Sequence, residues 1–581
     1  MKKTVSLLLT LLLCGALSAQ QARSLSVWSG GTSRDYAVFE TDSMAFRGDG
    51  SMLLFTLEGR DTLNTALVDS VTFSYPEFKS TNTRTNDEIK ADFDALTITS
   101  GAKAYKSVSR TAEYHNPLMG HKFGADPFGM VVGDRMYIYM TDDHLYRSTD
   151  GQPITGAFDY SDCKNVNIIS SDDLVNWTDH GTQPVAGSAG PASWASQMWA
   201  PCAAHKTIRG QEQYFLYFSN SNNGIGVLVA DSPYGPWKQP SNLSGPLISR
   251  SSPNCGNVPS IYDPAVLMDD DGKAYIYFGG GFNDDNPSDP GSARCVKLGS
   301  NMTSISGTPV QINPPYLFED AGINKVGGKY LYSYCSNFKA GGNAPGSGNI
   351  GYMVSDNPLG PYTFVGNCFD NPGGASWAGG GGNNHHAIIE FQGKYYILYH
   401  TRTLKSAMRS SNPDINDNVE LRSTCISEIK VDEKNARIEH LGNSGITQKG
   451  VSQIRNFDPY REVPGATMAW EWNVTTEFTK GTTPKNTYCS AHLREGSWMA
   501  LSDVDFKRGA VGFSATVSGK GSIKICSTNP GRAGAVYVLA DVDSKTYSTI
   551  TVPVVQKPEG VMHLMFIVTT GDVRIKSWNF F

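Results

Sequence analysis

The stretch IYDPAVLMDDDGKAYIYFGG (residues 261–280) carries the pattern that decides the fold. It places an acidic residue, Asp263, ahead of a short apolar run, an Asp-Gly turn signal and the strand AYIYF centred on Tyr275. An Asp-Gly pair between two apolar runs reads as a β-hairpin. The unit recurs along the chain. Asp126 leads to MYIYM around Tyr137, and Glu319 leads to YLYSYC at Tyr330, with carboxylate-to-tyrosine offsets of 11, 12 and 11 residues.

Two further strands complete the series, Tyr214 in GQEQYFLYF and Tyr395 in QGKYYILYH. The five tyrosines are spaced by 77, 61, 55 and 65 residues, with no helical pattern between them. That period, with several strands per unit, predicts a five-bladed β-propeller over residues 93–452. The first strand of each blade lines the central channel, so residues at its start meet at one axis. Those residues are Asp126-Pro127, Trp199-Ala200-Pro201, Asp263-Pro264, Glu319-Asp320 and His385-His386. Asp-Pro or Glu-Asp alone reads as a turn initiator. Three carboxylates at one repeat offset instead predict a shared acidic site, the equipment of a glycosidase.

The flanking regions are also β. Residues 20–92 hold short alternating runs and then a polar linker, KSTNTRTNDEIKAD, with room for one short helix. Residues 453–581 alternate short strands with Gly, Ser and Asp turns, which predicts a β-sandwich of jelly-roll type. The whole chain is thus expected to be all-β. Its 39% hydrophobic and 18% charged content, with 60 Gly, 27 Tyr and 25 Phe, agrees with that. A net charge of −6 without a basic patch argues against a nucleic-acid partner.

The first 19 residues, MKKTVSLLLTLLLCGALSA, read as a signal peptide, with a basic start, a short apolar run and small residues near Ser18 and Ala19. The run is too short to span a bilayer. Leu13 before Cys14 disfavours a lipoprotein site, so a soluble periplasmic or extracellular protein is expected. Nine cysteines follow Cys14 without a C-x-x-C pair, which argues for buried thiols or one or two disulfides over a zinc ribbon.

Six motifs, one or more per blade, carry a resemblance. They are NPLMGHKFGADP (116–127), WAPC (199–202), GIGVLVADSPYGPW (224–237), IYDPAVLMDDDGKAYIYFGG (261–280), FEDAGINKVGGKYLYSY (318–334) and NNHHAIIEFQGKYYILYHTR (383–402). Together they resemble glycoside hydrolase family 43, five-bladed propellers that invert at arabinose- and xylose-containing polysaccharides. The resemblance implies Asp126 as general base, Glu319 as general acid, and Asp263 as the carboxylate that orients the acid and keeps its proton. It implies a calcium ion held through water at His385, with His386 as the alternative register. Trp194, Trp199 and Trp377 are candidates to stack on sugar, each reading equally as core, and Arg402 is a further candidate for substrate binding. FDPYREVPGATMAWEWNV (457–474), GSWMALSDVDF (496–506) and RIKSWNFF (574–581) resemble carbohydrate-binding module family 6. Val463-Pro464-Gly465-Ala466 stands where relatives carry Glu-Ala-Glu, and Trp498 and Trp578 remain as aromatic candidates. The expected function is removal of α-L-arabinofuranosyl branches from arabinoxylan, a plant cell-wall polysaccharide. β-Xylosidase, arabinanase, exo-galactanase and a non-catalytic glycan-binding protein are the alternatives.

Overall fold

The computed structural model describes residues 24–37, 41–46, 51–56, 59–64, 67–68, 70–74, 114–144 and 160–581, the last run without 282, 341–344, 412–419, 508 and 528–534. The leader at 1–19 and the linker helix expected within 79–92 lie outside these residues. The chain groups into two compact units. One comprises Ser100–Arg455 with Thr467–Cys489, the other Met1–Thr99 with Asn456–Ala466 and Ser490–Phe581.

The first unit is a ring of five antiparallel sheets. Their inner strands are Ala125–Val132, Trp199–Ile208, Ala265–Met268, Leu317–Val326 and His386–Phe391, for blades I to V. Each pairs through a tight hairpin with a second strand, and these second strands hold Tyr137, Tyr214, Tyr275, Tyr330 and Tyr395. The fixed offset seen in the sequence is therefore one inner strand plus one hairpin. Asp269–Lys273 is such a turn: Gly272 N–H donates to Asp269 O, and its φ of 75° suits glycine.

Both faces of a blade are covered, which is why AYIYF at 274–278 is buried at every position. Five apolar cores fill the five spaces between neighbouring blades, and the fifth joins Ile138 and Met140 of blade I to Ile389 and Leu398 of blade V. Phe128 packs on three of these cores, near the axis.

Blades II to IV have the expected four strands; blades I and V differ. Blade I gains a fifth from Thr467–Met468, paired to Trp177 and Thr178. Blade V keeps three, and the segment preceding blade I runs beside its third strand. Leu118 N–H donates to Thr424 O, and Gly124 N–H to Arg422 O. Asn116 fixes the seam, its Nδ2 donating to Ile426 O and Thr447 O while its Oδ1 accepts from Ile426 N–H. Asn116→Ala would leave the buried Ile426 N–H without that acceptor. A loss of about 1–3 kcal/mol is expected, read as a lower denaturation midpoint. An unchanged midpoint would place the closure of the ring elsewhere.

The sequence reading put no helix in the propeller, yet Thr403–Ser411 is one. Leu404 and Met408 are buried four residues apart on one face. Nine residues give this periodicity too little length to stand out.

In the second unit, Ser24–Ser29, Thr32–Ala37 and Ser70–Ser74 form one three-stranded sheet, and Thr41–Phe46, Ser51–Thr56 and Gly59–Asn64 another. The carboxy-terminal part is a curled sheet with strands longer than expected. AVGFSATVS (510–518) and SIKICS (522–527), which read as two short strands, fall in one, Gly512–Ser527, paired with Val536–Pro553 and Val561–Phe580. Gly519, at φ 113°, bends it without a break, and a Cβ there would lie 2.2 Å from Asp572 O. Trp578 is core, packed among Phe457, Phe513, Phe566 and Phe580, whereas Trp498 is half-buried. All nine cysteines after Cys14 are buried free thiols, so the expected disulfides are absent among the described residues. No helix among those residues is long and apolar enough to cross a membrane.

Candidate active site

Near the start of four of the five inner strands, those of blades I to IV, stands a residue in left-handed backbone. Asp126, Ala200, Asp263 and Asp320 have φ of 50°, 38°, 51° and 69°. Such values are uncommon outside glycine and mark positions held by their surroundings. Here a chain of bonds from blade to blade does the holding. Ala200 N–H donates to Thr141 Oγ1, Asp263 N–H to Ser219 Oγ, Asp320 N–H to Asp263 Oδ2, His386 N–H to Asp320 Oδ2, and Asp126 N–H to His400 Nδ1.

This register corrects one detail of the repeat. The blade IV counterpart of Asp126 and Asp263 is Asp320, not Glu319. Asp126 and Asp320 stand equally far ahead of their hairpins, closed by Val132–Arg135 and Val326–Lys329, whereas Tyr330 lies one residue nearer its hairpin than Tyr137 does, which is why counting from the tyrosine lands on Glu319. Asp320 accepts from both the backbone and Nδ1 of His386, whose Nε2 lies 2.7 Å from Ser333 Oγ. Glu319 instead lines the main cavity.

That cavity measures about 330 Å³ and is lined by Asp126, Asp263 and Glu319, with Trp199, His385 and Arg422. The three expected carboxylates thus meet around one imidazole. His385 Nδ1 lies 3.6 Å from Asp126 Oδ1 and 3.7 Å from Asp320 Oδ1. Its Nε2 lies 3.6 Å from Asp263 Oδ2 and 3.3 Å from Glu319 Oε1. Burial opposes a charge on His385, but the four carboxylates outweigh it and raise the imidazole well above its usual range.

The carboxylates have different surroundings. Burial alone would raise Asp126, yet Arg422, His385 and His400 hold it well below the usual carboxylate range. Arg422 Nη1 donates to Asp126 Oδ1 at 2.7 Å, and Thr141 Oγ1 donates to Oδ2 at 2.8 Å. Asp263 is pushed up to about 8, first by burial, then by Glu319 and Asp126, against the lowering effect of His385. Glu319 Oε1 is buried and has no hydrogen-bond partner. One carboxyl is therefore fixed as an anion, one is inclined to hold a proton, and the third, Glu319, faces His385 Nε2 at 3.3 Å without a hydrogen bond to its Oε1.

Asp263, Glu319 and His385 also bring ligand atoms within 4.8 Å of one another, close enough to hold a metal ion. Two carboxylates and an imidazole nitrogen supply only part of the six to eight oxygens that calcium takes, so water would complete the shell.

Comparison with known proteins now adds to the geometry. The sequence model of glycosyl hydrolases family 43 matches residues 114–435, more than half of the chain. The chain belongs to that family. The model of carbohydrate binding module family 6 matches residues 465–581. An arabinoxylan arabinofuranohydrolase of Paenibacillus polymyxa is 40% identical over 80% of this chain and 74% of its own. One of Bacillus subtilis is 38% identical over 84% of this chain and 96% of its own. The crystal structure of a family 43 arabinoxylan arabinofuranohydrolase from Bacillus subtilis, in complex with cellotetraose, superposes with a TM-score of 0.73. It is 36% identical, over 82% of this chain and 99% of that one. This family 43 protein is accordingly a glycoside hydrolase.

The remaining sequence candidates divide. Trp199 lines the cavity, its Nε1 donating to Tyr160 O at 2.9 Å. Trp194 does not: its ring stacks on Phe218 and its Nε1 donates to Gln239 Oε1, so it belongs to the core between blades I and II. Trp377 packs on the core between blades IV and V and donates to Ile446 O. Both are core residues because the loops carrying them fold against blade faces. Arg402 is buried behind the cavity wall and pairs with Glu420.

Sequence reasoning missed Arg422, Glu420, Tyr160 and His400. Arg422 is buried and doubly tied to Asp143, with Nε and Nη2 each 2.8 Å from a carboxylate oxygen. His400 was visible at the end of QGKYYILYH, one blade-length from the other site residues. Arg422 follows a loop and shares no repeat offset, so no sequence signal marked it.

Proposed function

We propose that this family 43 enzyme removes α-L-arabinofuranosyl branches from arabinoxylan with inversion of configuration. The observation that carries the mechanism is the pair of carboxyl groups on either nitrogen of His385: Asp126, fixed as an anion by Arg422, and Glu319, which no cation but that imidazole meets within ion-pair distance among the described residues. Asp126 takes a proton from water as that water attacks the anomeric carbon. Glu319 gives a proton to the departing glycosidic oxygen. Asp263, beside Glu319 and inclined to hold a proton, keeps the acid supplied and oriented. The contacts of 3.6 and 3.3 Å across one imidazole keep Asp126 Oδ1 and Glu319 Oε1 apart by no more than the gap of roughly 9.5 Å at which an inverting pair admits water.

The arabinose preference is supported by the two relatives of that name, which match 80% and 84% of the chain. Calcium is proposed only as an ion held through water near His385, where it would offset the negative charge of the cluster. The leader read at 1–19 places the enzyme outside the cytoplasm, where its polysaccharide substrate is found.

Proton NMR in the first minutes of incubation with arabinoxylan tests the reading. Free arabinose is expected to appear first as its β anomer. The α anomer appearing first would refute inversion, and xylose release would redirect the substrate to xylosides. No release from arabinoxylan, arabinan or galactan would favour a glycan-binding role.

A further inference from the structure

The glycine-rich stretch GGASWAGGGGNN (373–384) and Arg402 both lack a role in the mechanism above, yet the structure joins them. Arg402 N–H donates to Ala378 O, and a Cβ on Gly379 would lie 2.5 Å from Arg402 O. Gly382, at φ 157°, lies against the guanidinium, where a Cβ would come within 2.2 Å of Nη2. Any side chain at 382 would displace that group. The glycines form a cradle that a larger residue would fill.

The cradled guanidinium points at two residues that line the cavity. Nε and Nη2 both donate to Glu420 Oε2, at 3.0 and 2.6 Å, and Nη2 lies 3.4 Å from Asn383 Oδ1. Both bonds fall on one carboxylate oxygen. The Glu420 side chain is 28% exposed, against 8% for Arg402, so the carboxylate forms the cavity wall and the guanidinium stands behind it. An ionised carboxylate only accepts hydrogen bonds, and a sugar ring presents hydroxyl donors all round.

We propose that Glu420 is a specificity-determining residue: its Oε1 accepts a hydrogen bond from one hydroxyl of the bound sugar, with Arg402 as the positioning residue. The proposal rests on the glycosidase reading and names a contact outside the acid–base pair. A site built to bind one hydroxyl discriminates sharply against a substrate that lacks it.

The test is a cycle on the full chain, with Glu420→Gln and Arg402→Ala measured on an aryl α-L-arabinofuranoside and its 2-, 3- and 5-deoxy analogues. Gln keeps an oxygen for Arg402 and turns an amino group to the cavity, so thermal melting checks that folding is retained. E420Q is expected to lose about 10- to 100-fold in kcat/KM on the parent, the range for a hydrogen bond to a charged group. On one deoxy analogue E420Q and the wild type should be equal, because the contact is already absent. R402A should show the same pattern and add nothing to E420Q. Equal losses on the parent and every analogue, or no loss at all, would overturn the proposal. Should the wild type turn over only an aryl β-D-xyloside, the arabinose reading fails, and the same cycle on deoxyxylosides decides Glu420.

Discussion

Glu319→Gln is expected to reduce hydrolysis of arabinoxylan by about 10²- to 10⁴-fold, the usual worth of a positioned general acid. The loss should be far smaller on an aryl arabinofuranoside with a strongly acidic phenol, which departs without a proton. The reasoning is local. Glu319 lines the cavity together with Asp126 and Asp263, where an acid can give a proton to the glycosidic oxygen. Gln occupies the same space and holds no transferable proton. kcat/KM measured across a series of aryl leaving groups checks this. A loss of the same size on every leaving group would remove Glu319 from the acid role.

Asp126→Asn should behave in the opposite way. Water must be deprotonated whatever group departs, so a loss of about 10²- to 10⁴-fold is expected on polysaccharide and activated aryl glycosides alike. The variant should still fold. Arg422, which would otherwise be a buried cation without a partner, keeps its two side-chain bonds to Asp143. Parallel melting curves and leaving-group series for both variants separate the roles. If D126N recovered on activated substrates as E319Q should, the base would have to be sought elsewhere.

The legible part of this protein is the part set by local geometry. A carboxylate, an inner strand, a hairpin turn and a tyrosine strand recur as one unit, so Asp126 and Asp263 could be placed by counting and Glu319 to within one residue. Counting failed by one where the reference tyrosine is displaced: Tyr330 sits one residue nearer its hairpin than Tyr137, so Asp320 is the true counterpart and Glu319 its neighbour. It also failed wherever loops decide. Trp194 and Trp377 lie close in sequence to site residues, but their rings turn into the cores between blades. Arg422 and Glu420 reach the cavity from the connection between the second and third strands of blade V, as Tyr160 does from that of blade I, and neither connection carries a repeated motif. Resemblance to a family identified the chemistry, while side-chain packing identified which polar groups set the charge on each carboxylate. The three long carboxy-terminal strands were read as shorter ones because glycine at 519 bends a strand as readily as it ends one.

The seam between blades V and I has a consequence for when activity can arise during synthesis. Asp126 emerges from the ribosome with the first blade, and Arg422, 296 residues later, comes with the last. His400, which accepts the Asp126 backbone N–H, is likewise a late arrival. A nascent chain holding four finished blades would therefore carry all three carboxylates and still lack the cation that keeps Asp126 ionised. Turnover in this enzyme is a report that the circle is complete.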